Sequence, residues 1–187
     1  MDDRSLRIGA LLAAHVIFLS AAALRILRGQ RKHMVRSEGP WFIQYYPPLV
    51  WIPFAIAYFF PLPFDLPMGV RLAGLAIAIA SALFAAWAMW SLGKSYGIRM
   101  DLFEGHRLVT GGPYRLTRHP MYLGIVSFHI GATMAMESLA LLLVTLFYVI
   151  PFTVMRIRAE DGVLAQGFGE EFRAFAGRVP ALVPFTR

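Results

Sequence analysis

The chain has 187 residues, of which 58% are hydrophobic and only 16% charged, with a net charge of +7 and no cysteine. A soluble domain is nearer half apolar and a quarter charged, and the lack of cysteine excludes disulfides, thiolate metal sites and cysteine nucleophiles. The basic residues sit between long apolar runs rather than along one stripe with aromatics, which argues for membrane orientation and against nucleic acid.

A spanning helix needs roughly 20 mostly apolar residues. The first candidate runs from about Ile8 to Leu27. Ala21 to Ala23 imitate a signal-peptide cleavage site, but Asp2 and Asp3 spoil the basic segment that should precede it, so the run is read as a span. The second runs from Trp41 to about Pro61, and Pro47, Pro48 and Pro53 predict a kinked or partly irregular helix. The third runs from Gly69 to Leu92, the fourth from Pro120 to Met136 and the fifth from Ser138 to about Ile157. Only Glu137 and Ser138 separate the last two, which predicts a tight helical hairpin. The expected fold class is all-α: a polytopic membrane protein with about five transmembrane helices and a C-terminal amphipathic helical tail. Residues 1–92 form a three-span membrane region, and 93–187 form the half that carries the chemistry.

Charge sets the orientation. Arg25, Arg28, Arg31, Lys32 and Arg36 fall in the first loop, and Lys94, Arg99, Arg107, Arg115 and Arg118 in the loop after span three. Arg156, Arg158, Arg173, Arg178 and Arg187 fall in the C-terminal segment, leaving Arg4, Arg7 and Arg71 for the other side. The positive-inside rule then places the N-terminus outside and the C-terminus in the cytoplasm. In the tail, Leu164, Phe168, Phe172 and Phe175 share one helical face, which reads as an interfacial helix with that face in the headgroups. Gly162, Gly167 and Gly169 argue against one straight helix, and Glu170 and Glu171 suit the N-terminus of a second short one.

Three polar groups at the span ends are candidates for chemistry. One is Glu104 to Val109, with His106 and Arg107. Another joins Gly112, Pro113 and Tyr114 to the run Arg118-His119-Pro120-Met121-Tyr122-Leu123-Gly124. Pro120 suits the first helical turn, which puts His119 at the N-cap and Tyr122 beside it. A structural loop-to-helix junction and a binding site both account for this pattern. The last is Arg156 with Glu160 and Asp161 one turn later; Arg156 and Glu160 share a face, as a structural ion pair or as a cation and carboxylate facing a pocket. His15 and His129 lie alone inside spans and read as histidines bonded to a neighbouring helix. Neither has a partner at metal-ligand spacing, so no metal is expected, and Walker, GxGxxG and GxSxG motifs are absent from the sequence.

These groups, in this order, resemble the isoprenylcysteine carboxyl methyltransferase family of membrane enzymes. The stretch Gly105 to Tyr114 is similar to that family's loop, Arg118 to Gly124 to its RHPxYxG motif, and Arg156 to Asp161 to its RxxxEE segment. Phe168 to Phe172, then Val179-Pro180 and Pro184-Phe185, resemble its C-terminal ending. Asp161 stands where a second glutamate is usual, and Phe172 where tyrosine is usual. The resemblance implies S-adenosylmethionine as methyl donor, held by His106, Arg107, Leu108, Val109, Tyr114, His119, Pro120, Met121, Tyr122 and Glu160. It implies that Arg156, with Arg118 assisting, meets the methyl acceptor. The implied partners are the bilayer and a lipophilic small molecule or lipidated substrate. A carboxylate of isoprenylcysteine type leads, and phenols, thiols and amines stay open. The competing functions are an NADPH-dependent membrane reductase of the sterol-reductase type, for which the chain is short, and a non-enzymatic membrane accessory protein.

Overall fold

Hydropathy and local stop signals account for the helices that form. The structure, a computed structural model, describes residues 3–28, 34–37, 43, 51, 59–60, 62–95, 101–103 and 105–183. Helix α1 spans Asp3–Arg28, α2 spans Met68–Leu92 and α3 spans Pro120–Met136. A short α4, Leu139–Val144, passes through a π-helical turn at Thr145–Val149 into α5, Ile150–Ala176. Residues 4–24, 68–92 and 139–176 are long and apolar enough to cross a membrane, and α3 is a shorter apolar helix. Four of the five expected spans are thus helical; the second lies almost wholly outside the described residues.

The predicted bounds of α3 hold because both ends carry clear signals. Pro120 takes a first-turn position where its missing N–H costs nothing. Glu137 ends the helix in the left-handed region at φ 52°, and its N–H returns to the Thr133 carbonyl. Ser138 then caps α4 by accepting from the Leu141 N–H at 3.1 Å. The expected hairpin turn is therefore the observed one.

The helical fold is as expected, with one addition, a two-stranded antiparallel ribbon of β1 (Met34–Ser37) against β2 (Asp101–Phe103). This ribbon ties the first loop to the long loop after α2, so both emerge at the same end of the molecule. The fifth helix does not stop near Ile157 but continues as α5 to Gly169, where φ 52° and ψ −121° break it before a last short stretch. Arg156, Glu160 and Asp161 look like the end of a span, yet the helix carries them on because its own fold supplies their partners.

Helices α2 and α3 pack backbone to backbone. A Cβ added at Gly74 would stand 2.7 Å from the Gly131 carbonyl oxygen, and one at Gly131 would stand 2.6 Å from the Ala78 nitrogen. Further along, a Cβ at Gly124 would meet that of Ala85 at 2.7 Å. Gly74, Ala78, Ser81, Ala82, Ala85 and Ala88 are all buried on α2. Such small-residue seams drive helix association where apolar burial alone distinguishes nothing from lipid. Leu11, Ala14 and Phe18 bury the inner face of α1 against this pair, while Leu12, Val16 and Leu19 stay exposed.

The two ends of the bundle differ in charge. At the end holding the start of α1 and the α3–α4 turn, Glu137 accepts from Arg7 at 3.2 Å, Arg71 at 3.3 Å and the Leu66 N–H at 2.9 Å. Partial desolvation pushes the Glu137 carboxyl up, but these donors outweigh it and hold it below the usual carboxylate range. Arg7 and Arg71, two of the three cations set apart by the charge count, are thus gathered at the end opposite the polar loops.

Candidate active site

At the other end, four segments far apart in sequence converge on one cleft. Its walls include His106, Arg107, Leu108 and Val109 from the long loop, with Tyr114 from a 3-10 turn at Gly112–Arg115. Arg118, His119, Met121 and Tyr122 come from the start of α3, Glu160, Val163 and Leu164 from α5, and Phe172 and Phe175 from beyond the Gly169 break. Ser95, after α2, fixes the loop: its hydroxyl accepts from the Arg107 N–H and donates to the Arg107 carbonyl, both at 3.2 Å.

Nine of the ten residues assigned to the donor by motif line this cleft. Pro120 does not; it is buried at the head of α3 and sets the direction in which its neighbours enter. Arg118 also lines the cleft, whereas Arg156 lies behind it, 2% exposed. Glu104, in the same loop, and Pro184-Phe185, in the family-like ending, lie outside the described residues.

Behind the cleft, a buried chain of polar contacts orders the chemistry. Arg156 donates through Nε to the Tyr122 hydroxyl at 2.8 Å, and that hydroxyl donates to Glu160 Oε2 at 2.7 Å. A second guanidinium nitrogen of Arg156 donates to the Ile43 carbonyl. The Arg156–Glu160 separation is 3.9 Å, and the Tyr122 hydroxyl bridges the two. The resemblance assigns Tyr122 to the donor; its bridging position between Arg156 and Glu160 depends on both helices being in place. The Glu160 side chain is 31% exposed and faces the cleft.

A second cluster lies alongside. Asp161 accepts from Arg118 at 2.7 Å and pairs with His119 Nε2 at 2.8 Å, and the His119 ring stacks on Tyr122 at 5.7 Å between centroids. Arg118 further donates to the Ala176 and Val179 carbonyls at 3.1 and 2.6 Å. The role at the acceptor implied for Arg118 meets a side chain already engaged with the tail. Asp161, matched in the motif but given no role, is the residue that sequence reasoning passed over.

The amphipathic tail is present, but its expected placement in the headgroups is corrected. Phe172 and Phe175 are each 4% exposed and pack with Ala88, Tyr114 and Val109, while Leu164 and Phe168 close the same cluster. That apolar face covers the cleft instead of entering headgroups. His15 and His129 each pair with the carbonyl four residues back in their own helix, Leu11 and Ile125. Among the described residues no group of three His, Asp or Glu side chains is arranged to hold a metal.

The chain resembles known proteins over this same region. The family model for phospholipid methyltransferases matches residues 70–171. Protein-S-isoprenylcysteine O-methyltransferase B of Arabidopsis thaliana is 32% identical over 115 residues, covering 60% of this chain and 58% of that protein. The cobalt-zinc-cadmium resistance protein CzcN of Cupriavidus metallidurans is 40% identical over 84 residues, 43% of this chain and 37% of that protein. In fold, the chain is similar to the solved eukaryotic intramembrane Ras methyltransferase, an isoprenylcysteine carboxyl methyltransferase. That match has a TM-score of 0.67 at 24% identity, over 99% of this chain and 68% of the other. The chain therefore spans well under two thirds of the Arabidopsis relative's length.

Proposed function

Because the chain belongs to the phospholipid methyltransferase family, we propose that it is an integral membrane methyltransferase moving a methyl group from S-adenosylmethionine to a lipophilic acceptor. The observation that carries this reading is the cleft in which four motif segments meet, lined by the carboxylate of Glu160 together with the apolar Leu108, Val109, Met121, Phe172 and Phe175. That pairing of chemistries suits a ligand with an adenine ring at one end and hydroxyl and ammonium donors at the other.

The residues divide the work. Leu108, Val109, Phe172 and Phe175 take the flat ring and exclude water, the backbone from His106 to Val109 lines the same wall, and Glu160 accepts hydrogen bonds from the polar part. Tyr122 holds Glu160 in place, and Arg156 holds Tyr122. When bound, S-adenosylmethionine supplies a methyl group activated by its sulfonium centre. The protein then has mainly to align donor and acceptor, and good alignment supplies ~7–11 kcal/mol. A carboxylate acceptor needs a cation to position it and no base; the motif gives that place to Arg156, which is 2% exposed behind Tyr122, so gripping an acceptor would require its side chain to be uncovered. A phenol or amine needs a base, for which His119 and Glu160 are nearest the cleft. We assign the acceptor to the isoprenylcysteine-type carboxylates named in the relatives.

Calorimetry of the purified protein in nanodiscs with S-adenosylhomocysteine and with NADP tests the donor. Binding of the first and not the second is expected; the reverse result would establish the reductase reading instead. For the acceptor, Arg156→Lys replaces a bidentate fork with a point charge. With a lipophilic carboxylate substrate, turnover should fall at least tenfold while S-adenosylhomocysteine affinity stays within about threefold. A mild effect on turnover would assign the acceptor to a phenol, thiol or amine.

The orientation follows the charge count, N-terminus outside and the cleft on the cytoplasmic face. The absence of native cysteine makes this simple to check. Cysteines placed at Asp3 and Thr186 should react with an impermeant maleimide from opposite faces of sealed vesicles. Labelling from one face would reject the orientation.

A further inference from the structure

We propose that Arg118 and Asp161 are positioning residues that latch residues 170–181 over the cleft as a lid hinged at Gly169. The identity of the covered ligand rests on the methyltransferase reading; the latch rests on geometry.

Helix α5 reaches Gly169 as a rod and breaks there in the left-handed region, at φ 52°. A side chain at that position would meet no atom within 4 Å, so the glycine serves the backbone conformation and not a close approach. The short segment beyond it carries Phe172 and Phe175, which form the outer wall of the cleft. The polar contacts that hold this segment come from one loop. Arg118 Nη1 donates to the Ala176 and Val179 carbonyls, at 3.1 and 2.6 Å. The backbone N–H groups of Arg118 and His119 donate to the carbonyls of Pro180 and Ala181, at 2.9 and 3.2 Å. The Thr117 hydroxyl also donates to the Ala181 carbonyl, at 2.9 Å.

Asp161 makes these contacts a clasp across the hinge. It lies on α5 before Gly169, and its two oxygens hold His119 at 2.8 Å and Arg118 at 2.7 Å. The guanidinium is thus fixed to the near side of the hinge through one nitrogen and grips the far side through another. It also stands over the Phe172 ring, 5.9 Å from the centroid. A planar fork meets three acceptors in fixed directions, which an ammonium on a long stem does not. Lids of this kind commonly govern ligand release. Arg118 on this reading acts on the donor's residence and has no part in gripping the acceptor.

The test uses the full chain with Arg115→Cys and Arg178→Cys, both exposed positions, carrying spin labels in nanodiscs. Pulsed electron-spin distances, S-adenosylhomocysteine dissociation by stopped flow, and separate KM values for donor and acceptor are measured in Arg118→Met, Arg118→Lys and Asp161→Asn. Arg118→Met should broaden the distance distribution and speed dissociation at least tenfold while leaving the acceptor KM within twofold. Asp161→Asn should shift both in the same direction by less, and Arg118→Lys should lie between. Unchanged distances and dissociation in Arg118→Met, or an effect confined to acceptor KM, would overturn the proposal. If the labelled parent binds no S-adenosylhomocysteine, the methyltransferase reading fails, while the distance change in Arg118→Met still decides the latch.

Discussion

Glu160→Ala is expected to lower S-adenosylhomocysteine affinity by about 10- to 100-fold, the worth of a charge-assisted hydrogen bond of roughly 1.5–3 kcal/mol. The carboxylate reaches the cleft because Tyr122 fixes one of its oxygens at 2.7 Å, leaving the rest of its acceptor capacity for a ligand. Arg156→Ala is expected to weaken binding less, since Arg156 lies behind the tyrosine and not in the cleft wall. It removes a cation that is 2% exposed, so its cost falls mainly on stability, and titrations must be normalised to the folded fraction. Calorimetry on both variants separates the roles. Equal loss of affinity would make Glu160 and Arg156 a structural pair with no distinct donor contact.

Gly131→Leu is expected to abolish the folded bundle. The first added carbon would already stand 2.6 Å from both the Ala78 nitrogen and the Gly74 oxygen, and neither backbone atom can swing aside. Accommodating it requires α2 and α3 to separate along the seam that also positions the start of α3, with its His119 and Tyr122. Overpacking of this severity costs about 3 kcal/mol or more. Gly9→Ala is the matched control: it lies in α1 with nothing within 4 Å of the added carbon. Its effect should be neutral or slightly stabilising, because alanine is the better helix former by up to about 1 kcal/mol. Thermal unfolding followed by size-exclusion chromatography in detergent distinguishes the two. A Gly131→Leu protein that elutes as a sharp monodisperse peak with unchanged melting would show that the seam does not hold the bundle.

Local signals gave up more of the fold than of the site. The ends of α3 were readable because a first-turn proline and a two-residue gap between apolar runs act at the positions where they occur. The end of α5 was misplaced because Arg156, Glu160 and Asp161 carry the charge of a loop, and what keeps them in a helix is partners elsewhere in the chain. Periodicity showed that Leu164, Phe168, Phe172 and Phe175 share a face but could not say whether lipid or protein covers it. Arg118 is the clearest limit: its tail acceptors are backbone carbonyls 58 and 61 residues away, and no side-chain pattern marks a carbonyl. The seam of small residues on α2 and α3 is not marked by hydropathy, which treats glycine and alanine as weakly apolar filler. The motif segments, though apart in the chain, do line one cleft, because the fold brings the long loop, the start of α3 and α5 to the same end.

The bond from Arg156 to the Ile43 carbonyl sets a boundary of its own. The two residues are 113 positions apart, and Ile43 precedes the first residue of the family match. The stretch inherited as a recognisable family is therefore smaller than the stretch that meets Arg156, the most buried cation among the described residues. A fragment starting near Met68 would keep every motif and lose one of the acceptors of that guanidinium. Transplanting the motif-bearing half onto other leading spans would demand a carbonyl at that one depth, which ties the seemingly generic N-terminal helices to the chemistry they accompany.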